Sequence, residues 1–333
     1  MKQLKRKGET SPPEKRANPR KKKKGPEQWG QKERYLVLYV LLTTIILSAL
    51  LAASARNWKL PGFPRISLPS FEGTIIIEGN KESKEEREKS EKVISEFKKK
   101  TKELSGVYGL YVIRLKNGTS YGVLEKEIFE PASLNKLPVI AALYMEAEKG
   151  NLDLETKYTL KNSDKVGGSG SLAGESAGTV LTYRDLVRLM GKQSDNTAFN
   201  IVKEVLGKEV IEAVIQEIGM EDTVIDGEQK TTPYDIGLFF QKLWQGDIVS
   251  QKQRDEILGF LTDTVYESWI SEGITDVDVA HKFGREVHVV SDAGIVLADE
   301  PFVLVILTKG VVEREADEVF PELAKLVYGI EAR

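Results

Sequence analysis

A serine and a lysine stand three residues apart in the stretch 131-PASLNKLPVI-140, at the start of an apolar run. Residues at this spacing share one face of a helix, so the amine of Lys136 can reach the hydroxyl of Ser133. A lysine held in an apolar pocket loses its proton more readily than one in water, and it can then act as a base toward a serine nucleophile. The pair is consistent with a nucleophile and its base, unless Ser133 only begins a helix.

The spacing by itself does not decide between these alternatives, because the chain contains a second Ser-x-x-Lys. Ser95 and Lys98 lie in 91-EKVISEFKKK-100, a heavily charged segment that predicts a solvent-covered helix. We interpret this second pair as a chance occurrence. The first pair therefore has to be judged by the other polar groups that the fold could bring to it.

Two further motifs could contribute to one site with the Ser-Lys pair. The Ser-Asp-Asn of 193-QSDNTAFN-200 stands directly before a predicted helix, where all three residue types also favour an N-cap. The Lys-Phe-Gly of 279-VAHKFG-284 lies on a predicted strand, where its lysine could equally be an exposed side chain. Each motif has an ordinary structural interpretation when it is taken alone.

The elements that must position these motifs follow from hydrophobic periodicity. Strands are predicted at both ends of the domain, with helices between them. This order predicts an α+β fold, in which an antiparallel sheet formed by both chain ends is flanked by helices and carries an inserted all-α subdomain at about 133–270. The predicted strands are 107–115, 119–124, 277–284, 287–298 and 302–308, and the predicted helices are 82–104, 133–149, 182–191, 195–206, 208–218, 232–244, 250–261 and 312–328.

The N-terminal part differs sharply from this domain in charge. Residues 1–34 carry a net charge of +9 and predict a disordered basic tail, whereas residues 56–333 carry a net charge of −12. Between them, 35–55 is a run of 21 uncharged residues, which as a helix is long enough for the roughly 30 Å hydrocarbon core of a membrane. Residues 56–80 predict an extracytoplasmic linker, and 81–333 the domain.

These features predict a single-pass protein of the cell membrane. The lysines of the tail place the N-terminus in the cytoplasm and the domain outside it. A cleaved signal peptide is the alternative, since Ala53-Ser54-Ala55 resembles a cleavage site, but the apolar run is longer than usual for one. Lys21 to Lys24 could bind nucleic acid, yet directly before a spanning helix they are better explained by topology, so no nucleic-acid partner is predicted.

The composition excludes several kinds of site. There are no cysteines, which rules out disulfides, thiolate metal sites and a cysteine nucleophile. The only histidines are His281 and His288, and no set of zinc ligands is visible. A Ser-His-Asp triad is possible on count, but the Ser-Lys arrangement makes it unnecessary. We expect neither a metal nor a cofactor.

The order and spacing of the three motifs resemble those of class A β-lactamases and penicillin-binding proteins. The Ser-Asp-Asn follows Ser133 by 61 residues, and the Lys-x-Gly begins 88 residues later. Three further segments resemble the sequences of this family, namely 179–202, 231–239 and 279–284. From about 82 to 330 the chain resembles the catalytic domain of a class A β-lactamase-related serine hydrolase.

This resemblance implies a role for each matching residue. Ser133 would be the acylated nucleophile and Lys136 its activating base. Ser194 would relay a proton to the departing nitrogen, and Asn196 would hold the substrate's amide. Lys282 would supply positive charge near the substrate carboxylate.

The same resemblance implies an oxyanion hole and a structural residue. The backbone N–H groups of Ser133 and Arg285 would form the hole, with Arg285 directly after Gly284. Prepositioned donors of this kind are typically worth about 10²–10³ in rate each. Asp195 would bond the backbone of its loop.

The chain departs from the family pattern at two places. The interval 221-EDTVIDGEQK-230 is too short for the Ω-loop whose glutamate activates water, and Glu228 lies too close to Thr231 to take that role. Phe283 stands where the family usually has Thr or Ser to bind the substrate carboxylate. We therefore expect an enzyme that acts on a β-lactam or a peptidoglycan-type D-Ala peptide. Its acyl-Ser133 intermediate should be hydrolysed slowly. The alternative is a catalytically silent binding module that retains the fold.

Overall fold

The computed structural model describes residues 30–54 and 82–332. The chain divides into two compact units, residues 1–70 and residues 71–333. In the first unit the described residues form one helix, α1, Gln31–Ser54. None of the helices in the described ranges has both the length and the hydropathy that crossing a membrane requires.

Most of the predicted N-terminal organisation is not described. The basic tail falls outside the described residues apart from its last five, and the linker over 56–80 lies entirely outside them. The segment 35–55 coincides with α1 up to Ser54, whereas its crossing of a membrane remains a prediction of the sequence.

The second unit is built on a five-stranded antiparallel sheet with the order β2-β1-β7-β6-β5. Its first and last segments pair directly, because β1 runs beside β7 from Val107 opposite Lys309 to Arg114 opposite Phe302. This pairing confirms an antiparallel sheet formed by both chain ends. The strands are β1 Val107–Arg114, β2 Ser120–Val123, β3 Lys157–Thr159, β4 Val180–Thr182, β5 Val279–Glu286, β6 Val289–Val296 and β7 Phe302–Lys309.

Helices cover both faces of the sheet and build most of the segment between β2 and β5. The three 3₁₀ turns of the described residues are Ala132–Asn135, Asn162–Asp164 and Leu172–Gly174. The helices of the second unit are α2 Lys84–Thr101, α3 Lys136–Glu148, α4 Tyr183–Lys192, α5 Asn196–Leu206, α6 Lys208–Ile218, α7 Pro233–Gln245, α8 Gln251–Leu261, α9 Ile270–Gly273 and α10 Glu313–Glu331.

The insertion at 133–270 is not entirely helical, so the prediction of an all-α subdomain is wrong in this respect. Strands β3 and β4 pair antiparallel, with Tyr158 opposite Leu181. Both of these side chains pack against the core of the insertion. Each strand has only three residues, which is too short for an alternating pattern to be recognised in the sequence.

The sheet separates two hydrophobic cores, and β5 contributes to both. Ala280 belongs to the core shared with the insertion, whereas Val279 and Phe283 belong to the core under α2 and α10. Successive side chains on a strand point to opposite faces. Lys282 and Gly284 therefore share the face of Ala280, toward the insertion, and His281 shares the opposite face with Phe283.

Candidate active site

Ser133 lies in the 3₁₀ turn Ala132–Asn135, directly before α3. Ala132 has a φ of 45°, a left-handed conformation that is uncommon for a residue with a side chain and that often marks functional sites. Because α3 begins only at Lys136, Pro138 falls in its first turn, where the missing N–H costs nothing. The serine is thus held at a strained junction rather than within a regular helix.

Lys136 is buried and directly contacts the serine. Its side chain is 2% exposed, and Nζ donates hydrogen bonds of 2.9 Å to Ser133 Oγ and to Asn196 Oδ1. Burial lowers the pKa of Lys136 to about 8, although the charges of Asp195 and Glu286 oppose this change. A neutral lysine at this distance has a lone pair that can accept the serine proton.

The turn before α5 carries the second motif. Ser194 has a φ of 54°, and its buried Oγ has no hydrogen-bond partner within the described part of the chain. Asp195 is used structurally: one carboxylate oxygen accepts from Ala198 N at 2.9 Å and the other from Leu172 N at 2.8 Å. The loop is therefore fixed by its aspartate, while its serine hydroxyl is left unpaired.

Asn196 links this turn to a glycine-rich loop. Its Nδ2 donates to Gly167 O at 3.0 Å while its Oδ1 accepts from Lys136. A Cβ on Gly168 would lie 2.8 Å from Asn196 Nδ2, so the loop can approach only because glycine stands there. The segment 168-GSGSLA-173 is hydrogen-bonded to the Ser-Asp-Asn turn, since Asn196 N donates to Ser169 O at 3.1 Å and Leu172 N donates to Asp195.

Lys282 approaches the Ser-Lys pair from β5. Its side chain is completely buried, and Nζ donates to Phe283 O at 2.9 Å. Burial holds the pKa of Lys282 well below its usual range, and the nearby charge of Lys136 lowers it further, whereas Asp292 acts in the opposite direction. The two lysines are therefore close enough to influence each other's protonation.

Gly284 allows β5 to lie against the nucleophile turn. A Cβ at this position would stand 2.8 Å from Leu134 Cδ1 and 3.1 Å from Pro131 O. Any larger residue would push the strand away from the turn that holds Ser133. The glycine of the Lys-x-Gly motif thus has a packing reason in this chain.

Phe283 and the side chain of Arg285 point elsewhere. The Phe283 ring packs 5.1 Å from Tyr266 and 6.4 Å from Trp269, on the opposite face of the sheet. The guanidinium of Arg285 forms a two-pronged ion pair with Asp317, at 2.7 and 3.1 Å. The Phe283 ring also contacts Lys282, whose Nζ lies 4.0 Å from the centre of the ring.

A cavity of about 280 Å³ opens beside the pair and is lined by Ser133, Lys136 and Asn196. Further lining residues that are absent from the predicted site include Glu130, Asn135, Gln229 and Glu286. Asn135 and Glu286 could have been suspected, because they stand within or just beyond the Ser-x-x-Lys and Lys-x-Gly motifs. Glu130 and Gln229 carry no such signal, since only the fold brings their loops together.

The short segment 221–230 is anchored at both ends. Asp235 accepts hydrogen bonds from Asp222 N at 2.9 Å and from Thr223 Oγ1 at 2.7 Å. At the other end Gln229 Oε1 accepts from Asn135 Nδ2 at 2.8 Å. Among the described residues, the hydrogen bonds to the Ser-Lys pair include none from a carboxylate of this segment.

Within the described ranges no group of His, Asp and Glu side chains is arranged to hold a metal ion. The cavity lining supplies the Ser133 hydroxyl and Lys136, whose pKa is lowered, whereas Ser194 and Lys282 are buried and are not among the residues that line it. The Ser133 hydroxyl and the Lys136 amine can support nucleophilic attack and proton transfer.

The family model described as "Beta-lactamase enzyme family" matches residues 89–330. The match covers α2 to α10 and includes all three motifs. The chain belongs to the beta-lactamase enzyme family.

Curated members of this family are distant relatives. Beta-lactamase L2 of Stenotrophomonas maltophilia is 24% identical over 185 residues, which is 51% of this chain and 60% of that protein. Beta-lactamase SME-1 of Serratia marcescens is 24% identical over 211 residues, which is 56% of this chain and 65% of that protein. The matches span less than two thirds of the length of these relatives.

Solved structures with a similar fold match a larger share of the chain. The structure of PBP-A is 26% identical, with a TM-score of 0.67, and the match covers 71% of this chain and 94% of that one. A mutant of PBP-A, described as an acyl-enzyme complex with penicillin G, is 25% identical with a TM-score of 0.67 over 73% and 96% of the two chains. A β-lactamase from Sphaerobacter thermophilus, at 24% identity and a TM-score of 0.67 over 72% and 96%, shows the fold alone.

Proposed function

We propose that this protein is a serine acyl-transfer hydrolase that forms an acyl-Ser133 intermediate with a β-lactam or a peptidoglycan-type D-Ala peptide. The observation that carries the proposal is the 2.9 Å contact between Lys136 Nζ and Ser133 Oγ, together with the lowered pKa of that lysine. Membership of the beta-lactamase enzyme family and the penicillin G complex of a PBP-A mutant support this class of substrate.

In the acylation step, Ser133 Oγ attacks the carbonyl carbon and its proton passes to neutral Lys136. The carbonyl oxygen takes the negative charge, and backbone N–H groups of Ser133 and Arg285 stabilise it. The carbon–nitrogen bond then breaks, and the proton held by Lys136 passes to the nitrogen by relay through Ser194, whose hydroxyl has no other partner in the described structure. Asn196 positions the substrate amide. Lys282 is the residue that we expect to assist proton donation by Ser194.

We propose that deacylation is slow. Water must be activated to attack the ester, and general-base catalysis of such a step is typically worth about 10²–10⁴ in rate. In the segment that replaces the longer family loop, Gln229 lines the cavity and no carboxylate of the segment is bonded to the Ser-Lys pair.

A single substitution tests this proposal. Gln229→Glu places a carboxylate on the cavity lining, and we expect the acyl-enzyme to hydrolyse on the order of tenfold or more faster, measured by the decay of the penicillin adduct in intact mass spectra. Gln241→Glu, on α7 outside this cavity, is the matched control. An adduct that the wild-type protein already releases within seconds would contradict slow deacylation.

The acyl-transfer proposal itself is tested by intact mass spectrometry of the full chain in detergent after incubation with penicillin G. We expect one adduct of the mass of the penicillin, located on the peptide that contains Ser133. Ser133→Ala should abolish the adduct, and Ser95→Ala, in the second Ser-x-x-Lys, should retain it. A folded protein that neither forms an adduct nor hydrolyses penicillin would favour the binding module instead.

We also propose that the uncharged segment 35–55 anchors the protein in the cell membrane, with the N-terminus in the cytoplasm and the domain outside. The basic tail and the uncharged run over 35–55 support this, and the large apolar side chains described over 35–47 are exposed. The test is extraction of membranes from expressing cells with alkaline carbonate. The intact protein should stay in the membrane pellet, and release into the supernatant would contradict an anchor.

A further inference from the structure

The cationic side chains near the cavity are already engaged. Lys282 is buried and donates to a backbone carbonyl, and the guanidinium of Arg285 is held by Asp317. Lys203 lines the cavity but is ion-paired with Asp226. Apart from Lys136 itself, no cation of the described cavity lining is therefore unpaired and able to meet a carboxylate of the substrate.

Two carboxylates line the same cavity. Glu130 precedes the nucleophile turn, and Glu286 ends β5, two residues after Gly284. Both side chains are exposed, and neither forms a hydrogen bond or an ion pair within the described ranges of the chain. Glu286 is near enough to Lys136 that its charge raises the pKa of that lysine against the effect of burial.

The third unpaired group of the lining is also an acceptor. Asn135 is 7% exposed, and its Nδ2 donates a hydrogen bond to Gln229 Oε1. Its Oδ1 has no hydrogen-bond partner among the described residues. The cavity lining thus includes two carboxylates without a partner in the described structure, together with a buried amide oxygen that also lacks one. The two carboxylates are suited to a donor with positive charge.

We propose that the acyl donor of this enzyme carries a primary ammonium group, which Glu130 and Glu286 recognise at the cavity. The proposal rests on the proposed acyl transfer to Ser133 and defines its substrate class as an amine-bearing peptide or amide. Attraction between exposed charges is weakened by water and by salt, so selectivity of about tenfold is the expected size of the effect at low ionic strength.

The test compares three N-acetylated dipeptide thioesters that differ only in the side chain of the acyl residue. One carries lysine, one norleucine and one glutamate, and the released thiol is measured with a thiol reagent, to which this cysteine-free chain gives no background. We expect kcat/KM to fall by about tenfold from lysine to norleucine and further to glutamate. The lysine preference should shrink as salt is raised from 10 mM to about 1 M.

Substitutions test whether Glu130 and Glu286 cause the preference for lysine. Glu286→Gln and Glu130→Gln should each reduce the ratio of the lysine to the norleucine rate, and the double variant should bring it close to one. Glu318→Gln makes the same charge change on exposed Glu318 of α10, outside the cavity lining, and should leave the ratio unchanged.

The outcomes separate the two proposals. Equal rates for lysine and norleucine, or a preference for glutamate, would overturn the inference while leaving acyl transfer intact. A lysine preference that survives the double variant would also overturn it. Failure of all three thioesters to acylate a folded protein that penicillin G does acylate would overturn the inference alone. Failure of penicillin G as well would contradict the proposed function.

Discussion

Two neighbouring residues of β5, His281 and Lys282, are both completely buried, yet their protonation is driven in opposite directions. Lys282 faces the insertion, and its pKa is held well below the usual range by burial and by the charge of Lys136. On the other face burial acts against protonation of His281, but Asp292 at 2.7 Å and Glu267 at 3.2 Å raise its pKa to about 9. The depth of burial is the same, so the partners decide the outcome.

The difference extends to the surroundings of the two residues. The polar groups that contact His281 are paired: Ser271 Oγ lies 3.1 Å from the imidazole, and Asp292 also accepts from Ile270 N. In the insertion, Ser194 Oγ is buried without a partner in the described structure. A buried polar group without a partner costs stability, and a substrate could satisfy the Ser194 hydroxyl, whereas the contacts of His281 hold the strand in place.

The comparison is tested most severely by Lys136→Met, which removes the amine and keeps the volume of the side chain. We expect acylation of Ser133 by penicillin G to slow by about 10²–10⁴, the usual contribution of general-base catalysis, with little loss of folding. The rate is measured by the appearance of the adduct in intact mass spectra. Lys98→Met, in the exposed Ser-x-x-Lys of α2, should acylate at the wild-type rate; equal slowing of both variants would contradict the account.

Gly284→Ala tests whether the contact of β5 with the nucleophile turn matters. The added Cβ meets Leu134 Cδ1 at 2.8 Å, so the strand and the turn must separate. A displacement on the order of 1 Å can cost about 10²-fold in rate, and we expect a loss of about that size in acylation. Gly259→Ala on α8, where the Cβ meets open space, is the control and should be neutral. Wild-type acylation by the Gly284 variant would show that the approach is unimportant.

His281→Gln tests the other face through stability. The pKa of His281 is raised from 6.5 to about 9, so its stabilisation is fully present below about pH 6.5 and is lost as pH rises through about 9. At about 1.36 kcal/mol per pKa unit the effect is on the order of 3 kcal/mol in the free energy of unfolding.

Urea unfolding of the full chain at pH 6 and pH 9.5, followed by tryptophan fluorescence, measures the free energy of unfolding. We expect the gap between wild type and His281→Gln to narrow at the higher pH, whereas His288→Asn should show no such change relative to wild type. A gap that is constant with pH would mean that the histidine acts only by packing.

Much of this arrangement could be predicted from the sequence, for identifiable reasons. The strands carry long apolar runs, and the helix starts carry caps such as Thr182, Asp195 and Thr232, so the sheet and most helices could be expected. The spacing of the Ser-x-x-Lys, Ser-Asp-Asn and Lys-x-Gly motifs identified the residues that the structure brings together. These motifs could be recognised because each depends on residue types at fixed positions along the chain.

The rest depended on contacts that only the fold creates. The inward or outward direction of Phe283 follows from the register of an edge strand, which a motif match does not contain. Glu130 and Gln229 meet at the cavity from loops about 100 residues apart. The three-residue strands β3 and β4 exist because Tyr158 and Leu181 pack on the core, and tertiary packing of this kind leaves no periodic signal.

The central claim is that Lys136 acts as a neutral base toward Ser133, and the pH dependence of acylation tests it most directly. The pKa of Lys136 is lowered to about 8, so the basic form grows as pH rises through that value. The second-order rate of Ser133 acylation by penicillin G, measured from pH 6 to pH 10, should rise about tenfold per pH unit below 8 and level off above it. A rate that is flat across pH 8, or that rises only near the ordinary lysine value of about 10.4, would contradict the account.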